Sequence, residues 1–202
     1  MNLSQAIASL ERGDVVVFPT ETVYGLGADA LNPAAVEKVF KLKGRNPDTP
    51  IPIIVADQAM LKDLVEEIPS IARKLMERFW PGPLTLVLPA VPGTPKQLLN
   101  RTGGIGVRIS SQPIATQLAR DLRRPLTATS ANPSGQPAAS TIEQAQNYFA
   151  GEIEIFLDGG KLPSKSGSSV VEVSDERIKI IREGEISIES LAASIGRKNI
   201  LA

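Results

Sequence analysis

Three groups of polar residues have types and spacing that could do chemistry. The first is the run Thr20-Glu21-Thr22-x-Tyr24, with hydroxyls, one carboxylate and one phenol, followed by Gly25 and Gly27. The second is Lys43-Gly44-Arg45, two cations with a glycine between them. Arginine offers a bidentate fork and lysine a point charge, so the pair suits a triphosphate or a carboxylate. The third is Ser130-x-Asn132, followed by Ser134 and Ser140, where small hydroxyls and an amide can bind a nucleotide or an amino acid. A further stretch of small residues, Gly159-Gly160 and then Ser166-Gly167-Ser168-Ser169, could cradle an anion through backbone N–H groups. Each group also has a plainer reading: a polar strand exit, cations answering a helix dipole, or a Ser/Asn turn. The acids Glu21, Asp29 and Asp158 stand isolated along the chain and read as structural.

Composition narrows the chemistry. The 202 residues include no cysteine and no histidine. That removes disulfides, thiolate nucleophiles, Cys/His zinc sites and a serine–histidine triad. Any metal must be held by oxygen ligands, with a substrate's phosphates as the natural source. Lys and Arg together number 22, as do Asp and Glu, so overall charge does not hold this chain on nucleic acid, although a local basic patch remains open. Neither G-x-x-x-x-G-K-[ST] nor a post-strand G-x-G-x-x-G occurs. The amphipathic start MNLSQAIASLERGD lacks the apolar centre of a signal peptide, and no stretch has the length of a membrane span. The expected location is the cytoplasm.

The elements that must position these groups follow from periodicity. Leu3, Ala6, Ile7 and Leu10 predict a helix stopped by Gly13, and Val15–Phe18 a buried strand ended by Pro19. Asn32-Pro33 reads as a helix start, with Val36, Val39, Phe40 and Leu42 as its apolar stripe. Strands are expected at 51–55 (with Pro52 marking an edge or a later start), 84–88, 105–109 and 126–129, and helices at 61–65, 71–79 and 114–122. Thr141-x-x-Gln144 matches a capping box before a helix reaching about Phe149. Three closing strands, at 153–157, 170–173 and 178–182, are expected to be antiparallel, and a short helical tail follows Ile188. The fold class is α/β with a mixed sheet in one domain over 1–202, its core about 5–188 and its tail 189–202, with no second domain.

Taken in order, PTETVYGLG (19–27), KGR (43–45), FWPGPLTLVL (79–88), GVRI (106–109), SANPSG (130–135), GSSVV (167–171) and Arg182 before Gly184 resemble the YrdC-like family, the threonylcarbamoyl-AMP synthases. The resemblance runs from about residue 5 to 188. It implies a twisted, partly open α/β barrel of the YrdC/RibB-like kind, with a concave, positively lined cavity. It implies joining L-threonine, bicarbonate and ATP into threonylcarbamoyl-AMP with release of pyrophosphate, for modification of tRNA. Carried over by motif, Thr22, Arg108, Ser130 and Ser168 would hold threonine. Lys43 and Arg45 would be catalytic and meet the phosphates. Thr49, Gly104, Asn132, Ser140 and Arg182 would complete the nucleotide site. Tyr24 would shape the cavity. Mg2+ would arrive with ATP, no metal being held by the protein alone.

Thr49 and Gly104 depart from the family's usual residues, as does Ile54, where many members carry histidine. The length suggests a short form that passes its unstable product to separate tRNA threonylcarbamoyl-transferase proteins. Weak, salt-sensitive tRNA binding would use the cavity and Arg120, Arg123 and Arg124. A second reading is a non-catalytic YrdC-like RNA- or ribosome-binding protein. A third, a carbamoyl-adenylate enzyme of hydrogenase maturation, is opposed by the length and the absence of cysteine.

Overall fold

The computed structural model describes residues 2–46, 48–163 and 166–201. In chain order the elements are α1 (Leu3–Glu11), β1 (Val16–Pro19), β2 (Tyr24–Gly27), α2 (Pro33–Lys43), β3 (Ile53–Ile54), α3 (Gln58–Lys62), α4 (Ser70–Phe79), β4 (Leu84–Pro89) and β5 (Gly104–Arg108). Then come α5 (Pro113–Leu122), β6 (Leu126–Thr127), β7 (Thr129–Ser130), α6 (Ile142–Phe149), β8 (Ile155–Phe156), β9 (Ser169–Ser174), β10 (Arg177–Arg182), α7 (Ile188–Ile195) and β11 (Ile200–Leu201). Among the described residues no helix is long and apolar enough to cross a membrane.

Local chemistry sets the helix ends. Asn32 accepts the Ala34 and Ala35 amide hydrogens and Pro33 opens α2, while Gly44 closes it in the left-handed conformation at φ 56°. Thr141 and Gln144 form the reciprocal capping box of α6.

The strands make two mixed sheets, in the orders β7-β2-β1-β8 and β11-β10-β9-β4-β5-β3-β6. One five-residue segment, 126–130, serves both. Its β6 runs antiparallel to β3 in the larger sheet, and its β7 antiparallel to β2 in the smaller. Between them Thr127 N–H donates to Ala28 and Ala128 N–H to Pro52. The sheets bend about this segment in a twisted, open α/β arrangement, with a concave space between them. β1 and β2, in the middle of the smaller sheet, are buried on both faces, which is why β1 reads as an unbroken apolar run. Val17 packs with the core under α2, α4, α6 and α7, whereas Val16 and Phe18 pack with α1 and α5.

Several expectations need correction. Residues 24–27 form a strand, where the sequence suggested a glycine-bearing loop. A Cβ at Gly27 would lie 2.9 Å from the Phe18 ring, so something would have to shift, and one at Gly25 would be tight at 3.2 Å. The 153–157 segment does not join the closing antiparallel strands; β8 runs parallel to β1 in the other sheet. Only β9 and β10 pair as expected. Pro52 marks a later start, since β3 is an interior strand between β5 and β6. The expected helix at 61–65 begins earlier, at Gln58, capped by Asp57.

Candidate active site

The polar groups converge where the β1–β2 turn faces one end of the larger sheet. The turn is locked by Thr20. Its hydroxyl donates to the Val23 carbonyl at 2.6 Å and accepts the N–H of Thr22 and of Val23, each at 3.2 Å. The Thr22 hydroxyl lies 3.0 Å from that of Thr20 and lines the cavity. Across from it, β5 ends in Arg108, β9 begins after Ser168, and β10 ends in Arg182.

These residues enclose a cavity of about 120 Å3, lined by Thr22, Arg45, Arg108, Thr129, Ser130, Gly167, Ser168 and Arg182 among others. Arg45 is held by the Thr49 carbonyl at 2.9 Å and the Pro50 carbonyl at 3.1 Å. Arg182 donates to the Ser168 carbonyl at 2.6 Å and to its hydroxyl at 3.3 Å, and that hydroxyl also meets Thr85 at 3.0 Å. Arg108 donates to Glu21, whose other oxygen accepts from Ser110.

Three guanidinium groups therefore line one cavity, and Glu21 pairs with one of them, Arg108. Burial lowers all three from the usual arginine value; Arg182 further lowers Arg45, and Arg108 further lowers Arg182. Arginine stays charged even so, which leaves positive charge for an anion to neutralise. Among the described residues no group of three or more Asp or Glu side chains could hold a metal. The cavity's donor set of guanidinium and hydroxyl groups fits phosphate and carboxylate oxygens and not a bare cation. A larger groove of about 460 Å3 lies elsewhere, between α2 and the 152–154 segment, and mixes acids with lysines.

The remaining expected residues fall outside the cavity lining. Lys43 is not the solvated cation of a helix end. It is 3% exposed, and its ammonium donates to the carbonyls of Ser130 at 2.6 Å and Asn132 at 2.8 Å and lies 3.4 Å from the Asn132 amide oxygen. Asn132 spends its amide hydrogens on Pro133 and Gln136 carbonyls, so it braces its loop. Ser140 is engaged by Gln144 at the start of α6. Thr49 exposes its side chain and offers only its carbonyl to Arg45. Gly104 opens β5, four residues before Arg108 and so roughly 13 Å along the strand. A Cβ there would meet Val87 at 2.7 Å.

Tyr24 is not in the cavity lining. Fully buried, its hydroxyl lies 3.1 Å from Asp158 and 2.8 Å from the Gly160 carbonyl and accepts the Gly159 N–H, and burial raises its pKa to about 12. None of the three isolated acids is alone: Glu21 pairs with Arg108, Asp158 with Tyr24, and Asp29 with Arg124 at 2.6 Å. Ser110, Thr85 and Thr129 were missed by sequence reasoning, and Glu21 was read only as structural. Ser110 lies two residues beyond the end of β5, so strand alternation gave no signal for it.

Residues 8–184 match the Sua5/YciO/YrdC family, described as telomere recombination. This chain belongs to that family. A threonylcarbamoyl-AMP synthase of Bacillus subtilis is 40% identical to this family member over 197 residues, covering 96% of this chain and 56% of that protein. One of Pyrococcus abyssi is 38% identical over 195 residues, covering 96% and 57%. The crystal structure of P. abyssi Sua5 in complex with L-threonine matches with a TM-score of 0.93 and 38% identity, over 98% of this chain and 58% of that one. The chain thus spans little more than half the length of these relatives.

Proposed function

We propose that this chain is a threonylcarbamoyl-AMP synthase, forming threonylcarbamoyl-AMP, pyrophosphate and water from L-threonine, bicarbonate and ATP. The observation that carries the reading is the convergence of Arg45, Arg108 and Arg182 with Thr22, Ser130 and Ser168 on one cavity. Its fold and sequence are close to synthases so named, one related structure holding L-threonine.

Arg108 takes the threonine carboxylate, and Thr22, Ser130 and Ser168 take its hydroxyl and amine. Arg45 and Arg182 meet the phosphates. At about 120 Å3 the cavity is well below the roughly 300–1,000 Å3 typical of small-molecule sites, so the nucleoside extends beyond it. Threonine's neutral amine attacks the carbon of CO2 drawn from bicarbonate, giving a carbamate and releasing water. A carbamate oxygen then attacks the α-phosphorus of ATP, and the bond to the pyrophosphate oxygen breaks. No protein nucleophile takes part. The chain contributes position and neutralising charge. Mg2+ travels as part of the ATP substrate and adds charge neutralisation to the phosphates. The adenylate passes to separate proteins that transfer its acyl group to tRNA.

Pyrophosphate release with ATP and bicarbonate, with and without L-threonine and with L-serine as control, tests the reading. Threonine-dependent release is the expected result. Absence of both release and threonine binding would overturn it and favour an RNA-binding protein.

A further inference from the structure

Glu21 has no place in the reaction as written, yet its carboxylate is paired with Arg108, one of the three arginines that line the cavity. It sits in the β1–β2 turn, which Thr20 locks through both its donor and its acceptor capacity. From the smaller sheet it reaches the larger. One oxygen accepts from Arg108 Nη1, and the other accepts from the Ser110 hydroxyl. The side chains of Glu21 and Arg108 are 12% and 5% exposed. Ser110 is buried as well and accepts the Gln112 N–H just before α5.

The form of this contact is informative. A carboxylate that grips arginine with both oxygens uses the paired N–H groups that a ligand carboxylate would need. Here Glu21 spends one oxygen on one guanidinium nitrogen and sends the other to Ser110. Arg108 is anchored at one corner, and it still lines the cavity. The same carboxylate offsets a charge that otherwise crowds Arg182.

We propose that Glu21 is the positioning residue of the ligand-carboxylate site, holding Arg108 by one nitrogen so that its remaining N–H groups are presented to an amino-acid carboxylate. The proposal rests on the amino-acid reading of the cavity given above. The rival role is an internal stand-in that the ligand carboxylate must expel from Arg108. The two differ in sign.

The test measures binding of L-threonine and, separately, of inorganic pyrophosphate to the wild type and to Glu21→Ala and Glu21→Gln. A positioning role predicts that Glu21→Ala weakens L-threonine binding roughly tenfold or more. Pyrophosphate binding stays unchanged or tightens, because the negative charge that offsets Arg108 is gone. Glu21→Gln retains an oxygen for Arg108 and an amide that can donate to Ser110, and falls between. Threonine binding that is unchanged or tighter in Glu21→Ala overturns the proposal, as does parallel weakening of both ligands in both variants. Side-chain nitrogen NMR of Arg108 tests the anchor without any ligand: restricted guanidinium rotation in the wild type is expected to be released in Glu21→Ala. Restriction that persists there overturns the proposal. Failure of the wild type to bind L-threonine overturns the amino-acid reading instead, and the Arg108 resonances then decide the anchor.

Discussion

The Lys43 ammonium lies 2.6 Å from the Ser130 carbonyl, so the last residue of α2 is tied to the strand that carries the cavity's central hydroxyl. The Ser134 N–H returns the link by donating to the Lys43 carbonyl at 2.7 Å. The two halves of the K-x-R and S-x-N pattern are therefore one mechanical unit, with Arg45 and Ser130 turned to the cavity and Lys43 and Asn132 behind them.

Replacing Lys43 is expected to cost stability as well as turnover, in contrast to Arg45. Lys43→Ala strips buried acceptors of their donor, at about 1–3 kcal/mol for each group left unsatisfied. Arg45→Ala removes a cavity-facing charge from a half-exposed side chain. Thermal unfolding and steady-state kinetics on both variants separate the two roles. Both should lose at least about a hundredfold in turnover, and Lys43→Ala alone should lower the melting temperature markedly.

Burial first, and then Arg45, push the Lys43 pKa down to about 8. As pH rises through that value, folded Lys43 loses its proton while the unfolded chain keeps it up to the ordinary lysine range. The folded state then holds fewer protons than the unfolded one, and this residue's contribution to stability rises with pH. Polyanion binding should weaken over the same interval because the site loses a charge. Carbon NMR of the lysine side chains would follow the titration, and Arg45→Gln should move it upward.

Gly184 gives a steric test. A Cβ there would lie 2.5 Å from the Gly167 carbonyl oxygen and 2.7 Å from that of Ser168, both backbone atoms. Gly184→Ala must push the Ser168 carbonyl away from Arg182. A loss of about 1–3 kcal/mol is expected from overpacking, measured by denaturant unfolding, together with weaker binding of both threonine and pyrophosphate.

Tyr24→Phe removes a hydroxyl that holds Asp158, Gly159 and Gly160 together. The expected cost is about 1–3 kcal/mol for the buried groups left without a partner. Hydrogen exchange should accelerate at Gly159 and Gly160 before it does in β1 or β2.

Much of this was legible in the sequence where physics is local. Asn32-Pro33 and the Thr141–Gln144 box set helix starts through contacts within a few residues, and both appear as read. The motif residues Thr22, Arg45, Arg108, Ser130, Ser168 and Arg182 come together in one cavity. What could not be read depends on distant partners. Glu21 and Arg108 are 87 positions apart, and Lys43 and Ser130 also 87, so neither pairing leaves a local trace. The assignment of β8 to the smaller sheet was hidden for the same reason, because two residues pairing parallel to β1 carry no register signal of their own.

The double duty of residues 126–130 bears on how the chain tolerates insertion. Side chains alternate along a strand, so one extra residue between Thr127 and Ser130 would invert every face beyond it. Pairing with β3 would survive, while Ser130 would turn from the cavity and the loop that receives Lys43 would shift with it. Length variation should therefore collect in surface turns such as 91–95 and be purged from this five-residue splice.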